Sequence, residues 1–164
     1  MTTMNTNTKE TKILILASIS GGYAGADSVG QLHAEYAPNT YVFPCLSPCM
    51  FPENFYLRTF ERGIDAILVM YSGTDCPYKC APEQTAEIIN RVYPMMQERG
   101  INTRRLRLVA ICTVCTKPFM REVEQMNELL QEVGPVRDEI STTPAPQSQI
   151  AQSGDQGVNG HGSK

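Results

Sequence analysis

Tryptophan is absent from this chain of 164 residues, which carries five Phe, seven Tyr and two His. Without Trp, and with no aromatic placed to sandwich an isoalloxazine, little in the sequence favours a flavin. Net positive charge is also missing. The formal charge is -3, with 14 Lys and Arg against 17 Asp and Glu, so there is no electrostatic case for nucleic acid or a membrane surface. No apolar run approaches the ~20 residues of a membrane span. The stretch from Met1 to Thr11 is polar and lacks the apolar centre of a signal peptide. No Walker motif, paired-carboxylate or Ser/His/Asp constellation emerges, which argues against a self-contained hydrolase and for a non-catalytic role. His33 reads as a surface or partly packed residue of the first helix, and His161 falls in the tail. These absences point to a cytoplasmic protein with reduced thiols, where paired cysteines read as metal or redox ligands rather than disulfides.

What the chain does contain is alternation. A length of 164 residues suits one domain. Residues 1–11 are expected to form a disordered leader. Four apolar runs of strand length follow: Lys12 to Ala17, Thr40 to Phe43, Ala66 to Met70, and Leu106 to Ile111. Helical spacing predicts helices over about Gly25 to Tyr36, Pro52 to Arg62, Pro82 to Gly100 with Pro94 inside, and Thr116 to Val133. Gly63 and Gly100 are well placed to end two of them. Four strand–helix alternations with right-handed crossovers predict a doubly wound parallel α/β sheet, flavodoxin-like, in the order 2-1-3-4. The domain should span 12–136. Residues 137–164, rich beyond Ser141 in Ser, Thr, Pro, Gln and Gly, should be disordered or ordered only by a partner. Arg99, Arg104, Arg105 and Arg107 form a basic cluster at the amino end of the fourth strand, expected to be a solvated face, with partner docking as the alternative.

All six cysteines fall in predicted loops after strands: Cys45 and Cys49, Cys76 and Cys80, Cys112 and Cys115. In an open parallel sheet, ligands bind outside the carboxyl ends of the strands. Six thiols at three strand ends are therefore six thiols on one edge. Neighbouring strands lie ~4.8 Å apart, so adjacent loops can meet around one centre. Iron–sulfur clusters want four converging thiolates, and zinc wants four tetrahedral ligands. The spacings are Cys-x-x-x-Cys twice and Cys-x-x-Cys once, and no ferredoxin pattern is present. The ranking is an iron–sulfur cluster first, structural zinc second and unliganded thiols last, with two cysteines to spare as outer residues or a redox pair. Cys112-Thr113-Val114-Cys115 also has the form of a thioredoxin-type dithiol, but after the last strand rather than the first. The loop Ser18-Ile19-Ser20-Gly21-Gly22-Tyr23 has the composition of a phosphate cradle, but reads better as a tight turn.

From Tyr41 to Val136 the chain resembles the small iron–sulfur delta subunit of methyl-viologen-reducing hydrogenase. The matching stretches are Phe43-Pro44-Cys45, the run from Phe55 to Val69, Asp75-Cys76-Pro77-Tyr78, Arg104 to Leu108 and the closing helix. Tyr23-Ala24-Gly25-Ala26-Asp27 resembles that family's first loop exit. The resemblance implies an adaptor that carries a [2Fe-2S] cluster. It would pass electrons between a hydrogenase or formate dehydrogenase and a heterodisulfide-reductase-type flavoprotein. It also implies a Cys-x-x-Cys in the first loop, where this chain has Ser18 and Gly21, and a cysteine at about Tyr71. Only Cys45 and Cys76 carry over directly; Cys49, Cys80, Cys112 and Cys115 are additional. Either the cluster has moved toward the third and fourth strand ends, or another centre replaces it.

Overall fold

Two apolar runs with almost no polar interruption make the centre of the sheet. In the computed structural model, which describes residues 11–73, 76–112 and 116–142, these runs are β1 (Ile13–Ser18) and β3 (Ala66–Tyr71). They pair in parallel, with β2 (Thr40–Cys45) outside β1 and β4 (Leu106–Ala110) outside β3. The order is β2-β1-β3-β4, all parallel, as predicted. Cys115, His161, the leader before Thr11 and the tail from 143 onward lie outside the described residues.

Side chains alternate across a strand, and here the alternation feeds two cores. Ile13, Ile15, Ala17, Ala66, Leu68 and Met70 pack with α1 (Gly22–Gln31) and α4 (Thr116–Val133). Leu16, Ile67 and Val69 pack on the other face with α2 (Glu53–Glu61) and α3 (Ala81–Glu98). Each large apolar side chain buried this way contributes ~1.5–3 kcal/mol. Both faces are covered, which is why β1 and β3 read as continuous apolar runs.

Three helices end in the same way, with the two hydrogen bonds of a Schellman motif. At the end of α2, Gly63 N–H donates to Phe60 and Ile64 N–H to Thr59; at the end of α3, Gly100 N–H donates to Gln97 and Ile101 N–H to Met96. The glycines adopt φ of 87° and 70°. α1 uses a histidine instead. His33 N–H donates to Gly30 and Ala34 N–H to Val29, with His33 at φ 51°. The predicted helix over Gly25 to Tyr36 is thus shifted back and cut short, and His33 lies beyond it, exposed.

A fifth helix, α5 (Val136–Thr142), follows Gly134-Pro135 within the stretch expected to be tail. Val136 and Ile140 bring it into the α2–α3 core. Polar bonds at the amino edge of the sheet fix it. The Asp65 carboxylate accepts from the backbone N–H of Lys12 and of Val136, both at 2.8 Å. Arg105, 0% exposed, donates to both oxygens of Glu139 at 3.0 and 2.8 Å and to the Asp65 carbonyl at 3.1 Å. Asn102 N–H adds a bond to Glu139. The predicted solvated basic face is therefore corrected at Arg105, which is interior. Arg99, Arg104 and Arg107 keep solvent exposure and pair with Glu61, Glu132 and Glu122.

Removing one partner of a buried pair leaves an uncompensated charge, which costs ~3–5 kcal/mol. Arg105→Ala should lower the urea midpoint by that much stability, and Glu139→Gln by less, because Glu139 is partly exposed. A midpoint for Arg105→Ala equal to that of the parent would show the pair to be dispensable.

Candidate thiol site at the carboxyl edge

The carboxyl ends of the strands meet in one continuous set of contacts. Ser18 and Cys45, the last residues of β1 and β2, are register partners. Ile19 N–H then donates to the Cys45 carbonyl at 2.9 Å. Ser20 and Ser72 share a hydroxyl–hydroxyl bond of 2.8 Å, joining the loops after β1 and β3. Ile111 N–H donates to the Tyr71 carbonyl, also at 2.8 Å, tying the exit of β4 to the end of β3.

Gly21 sits where these loops close. A Cβ on it would lie 2.7 Å from Ser72 Cα and 2.8 Å from the Ile111 carbonyl oxygen, and one on Gly22 would lie 2.6 Å from Met70 Cβ. The Ser/Gly loop is therefore a tight turn pressed against two neighbouring strand ends.

The structure places the cysteines on this edge. Cys45 ends β2 and is 5% exposed. Cys49 lies in the short 3-10 turn Pro48–Met50, which packs on β1, β3 and α3, and its sulfur is 3.2 Å from Ser47 Oγ. Cys76 follows β3 and is half-buried; its N–H bonds the Gly73 carbonyl. Cys80 is exposed and caps α3 in a left-handed conformation, φ 61°. Cys112 follows β4 and is disulfide-bonded, so the expectation of reduced thiols throughout does not hold there. Cys115 lies outside the described residues. The exposed apolar side chains Ile19, Leu46, Met50 and Tyr78 lie in the same loops.

Cys45 and Cys49 are close enough to influence each other's charge. Burial pushes the Cys45 thiol up to about 11, and charge on Cys49 pushes it the same way. At neutral pH Cys45 is thus a protonated thiol that a metal must displace from its proton. Tyr56, on the buried face of α2 with Leu57 and Phe60, lies near enough to both thiols to feel their charge. Burial above all pushes its phenol well up, so it stays a neutral O–H. Tyr56 is missing from the sequence-based candidates. Its spacing marks it as core, and nothing local marks it as a neighbour of the thiols.

The donor chemistry of these loops suits a thiolate-bound metal centre, and Cys45 and Cys49 could hold part of one. Among the described residues, no three Cys, His, Asp or Glu side chains converge as a ready metal site.

Two outcomes follow from this geometry. In metal-free reduced protein, a thiol whose folded value is raised holds its proton after the unfolded chain has lost it, so stability falls as pH rises. The loss should run between pH 9.0 and about 11, and denaturation midpoints of Cys45→Ser should be flatter across that window. Gly21→Ala should destabilise by ~1–3 kcal/mol through overpacking. Gly30→Ala, whose Cβ meets nothing within 4 Å, should be neutral or stabilising by up to ~1 kcal/mol. Equal midpoints for the two would contradict the closed first loop.

Known proteins match the same region. The pattern of the family described as methyl-viologen-reducing hydrogenase, delta subunit (FlpD), covers residues 13–134. An iron–sulfur subunit of the vhu F420-non-reducing hydrogenase of Methanocaldococcus jannaschii is 23% identical over 126 residues, covering 75% of this chain and 92% of that one. Its Methanococcus maripaludis counterpart is 23% identical, covering 77% and 95%. One of the subunits of the ferredoxin:CoB-CoM heterodisulfide reductase of Methanosarcina mazei is 24% identical over 119 residues, 72% of this chain but 15% of a much longer one. The segment matched by the family pattern holds the whole sheet, its four strand ends and every cysteine from Cys45 to Cys115. This chain belongs to the delta subunit family of methyl-viologen-reducing hydrogenase.

Proposed function

We propose that this chain is a non-catalytic electron-transfer adaptor. It would carry an iron–sulfur centre, of the [2Fe-2S] type, between an oxidoreductase module and a heterodisulfide-reductase-like flavoprotein in a cytoplasmic complex. The observation that carries the reading is the gathering of thiols on the carboxyl edge, with Cys45 and Cys49 in the loop after β2 and Cys76 and Cys80 in the loop after β3. Its relatives point the same way, since they are named iron–sulfur subunits of a hydrogenase. In the heterodisulfide reductase of Methanosarcina mazei, a stretch like this chain is part of a longer polypeptide of that enzyme, which supports a protein of that kind as partner.

Cys45 and Cys49 would hold one side of the centre. Cys76 and Cys80, the other free thiols among the described residues, would hold the second. Cys112 is engaged in a disulfide and would become a ligand only after reduction. Bound there, the centre would supply one-electron transfer, with a potential set by thiolate ligation, hydrogen bonds and solvent exposure. The chain's own residues hold the edge together. The Ser20–Ser72 bond and Gly21 lock the first loop, and exposed Leu46, Met50 and Tyr78 offer an apolar rim on which a partner can exclude water. Among the described residues no helix is long and apolar enough to cross a membrane, so attachment to the complex would run through such surfaces.

Anaerobically purified protein should contain iron and sulfide in equal amounts, with thiolate-to-iron absorption in the visible. Cys76→Ser with Cys80→Ser should lose the iron, while Cys112→Ser with Cys115→Ser should keep it. A colourless protein holding stoichiometric zinc would replace conduction with structural docking as the role.

A further inference from the structure

Helix α2 divides its charges between two sides. Glu53 and Glu61 pair with Arg91 of α3, at 2.6 Å, and with Arg99 just beyond it. Arg58 and Arg62 are exposed and lie one helical turn apart, and neither has an ion pair among the described residues. With Asn54, Phe55 and Thr59 they line a hollow of about 350 Å³. Like charges at that spacing repel. Basic residues suit the last turn of a helix, which accounts for their sign but not for their lack of partners.

An aromatic ridge leads out of the hollow. The Phe55 ring stacks on Phe51 at 4.5 Å, and Phe51 meets Phe43 edge-on at 6.2 Å. Phe43 is the register partner of Leu16, and Tyr41 of Leu14, both on the α2–α3 side of the sheet. The helices there leave these two rings of the edge strand half in solvent, Tyr41 at 52% and Phe43 at 51% exposure. Exposed aromatic rings beside arginines are the composition of an interface. The ridge also adjoins a thiol loop. Phe43 lies two residues before Cys45, and Phe51 follows the turn that carries Cys49.

Charge decides what covers this face. A second copy docking about a two-fold axis would set the same patch against itself, arginine against arginine. The chain's own ends lack the complement: residues 1–10 carry one acidic residue, Glu10, residues 143–164 carry one, Asp155, and neither stretch has an aromatic. We propose that the face binds an acidic segment of another subunit, which sets carboxylates against Arg58 and Arg62 and apolar side chains along Phe55, Phe51 and Phe43. The inference rests on the adaptor reading for the existence of such a subunit, and it places that subunit beside the loop of Cys45 and Cys49.

The test uses the full-length chain isolated with its native subunits. The photo-cross-linking residue p-benzoylphenylalanine is placed at Asn54, which lines the hollow, or at Glu128, exposed on α4 across the sheet. Expected is a cross-link from position 54, and not from 128, to a different polypeptide, in a segment where Asp and Glu outnumber Lys and Arg. Arg58→Glu with Arg62→Glu should lose that cross-link and weaken the association roughly tenfold or more, and added salt should weaken the parent's association more than the variant's. Urea midpoints should match the parent's, because both arginines are exposed. If charge reversal unfolds the chain, Arg58→Gln with Arg62→Gln carries the test. A cross-link from 54 to a second copy, to residues 143–164, to a segment without acidic excess or to nothing overturns the inference. So does the same cross-link from 128, or a charge-reversed chain that holds its subunit as tightly as the parent. Iron content reads the proposed function separately. Iron-free protein that keeps the acidic contact removes the conducting role and leaves the docking face, and iron-loaded protein without that contact does the reverse.

Discussion

The parallel pairing of β1 with β3 sets every other distance in this molecule. Ile13 to Ala17 run level with Ala66 to Met70, and β2 and β4 take their registers from those two strands. The alternating side chains are sorted into two cores, each with its own pair of helices. A slip of one residue would exchange the faces of every side chain on a strand. Ile13 and Ile15 would then compete for the space of Leu16, and helices on both faces would have to repack. With that register held, the four strands end together, and whatever follows them is delivered to one edge. The thiols are gathered by a packing constraint acting mostly on residues that never touch them.

The two edges of the sheet are finished differently. At the amino edge the charged groups are answered, Asp65 by two backbone N–H groups and Arg105 by Glu139 and by carbonyls, although Asn39 Oδ1 and Thr40 Oγ1 there are buried without partners among the described residues. That network clamps α5 onto the core. At the carboxyl edge the answers stop short. Ser18 and Tyr56 hold buried hydroxyls without partners among the described residues, and Cys45 is a thiol whose charge burial opposes. The charged network thus lies at the edge away from the thiols, so the thiol loops can vary without disturbing it.

Much of this was legible in the sequence, and the failures have a common cause. The strands were readable because continuous apolar runs leave few alternatives, and the placement of thiols followed from where those runs stop. Gly63 and Gly100 were readable as helix ends because αL favours glycine. His33 was not, since a histidine at that position carries no such signal. Arg105 read as surface because its burial depends on Glu139 and Asp65, 34 and 40 residues away. The same holds for α5: seven residues are too few to be stable as a helix alone, and it forms because Val136 and Ile140 find the α2–α3 core. Tyr56 shows the limit for the site. Periodicity reports which face a side chain occupies and nothing of where its last atom points.

The family resemblance and the local geometry bear on each other at Gly21. The resemblance implies a cysteine there. A simple loss of that cysteine would leave room for a side chain. Instead, the Ser72 backbone and the Ile111 carbonyl stand within 2.8 Å of where a Cβ would be, and the Ser20–Ser72 bond holds the loops in that position. The space a first-loop ligand would need is filled by main chain from two other strand ends. Restoring a sulfur at 21 would therefore require those loops to part, not just one residue to change. This chain is closed at the centre of its edge and furnished with thiols further out, at Cys49 and Cys80. The proposed centre would then be held from the loops after β2 and β3, where exposure and hydrogen bonding to sulfur influence its potential.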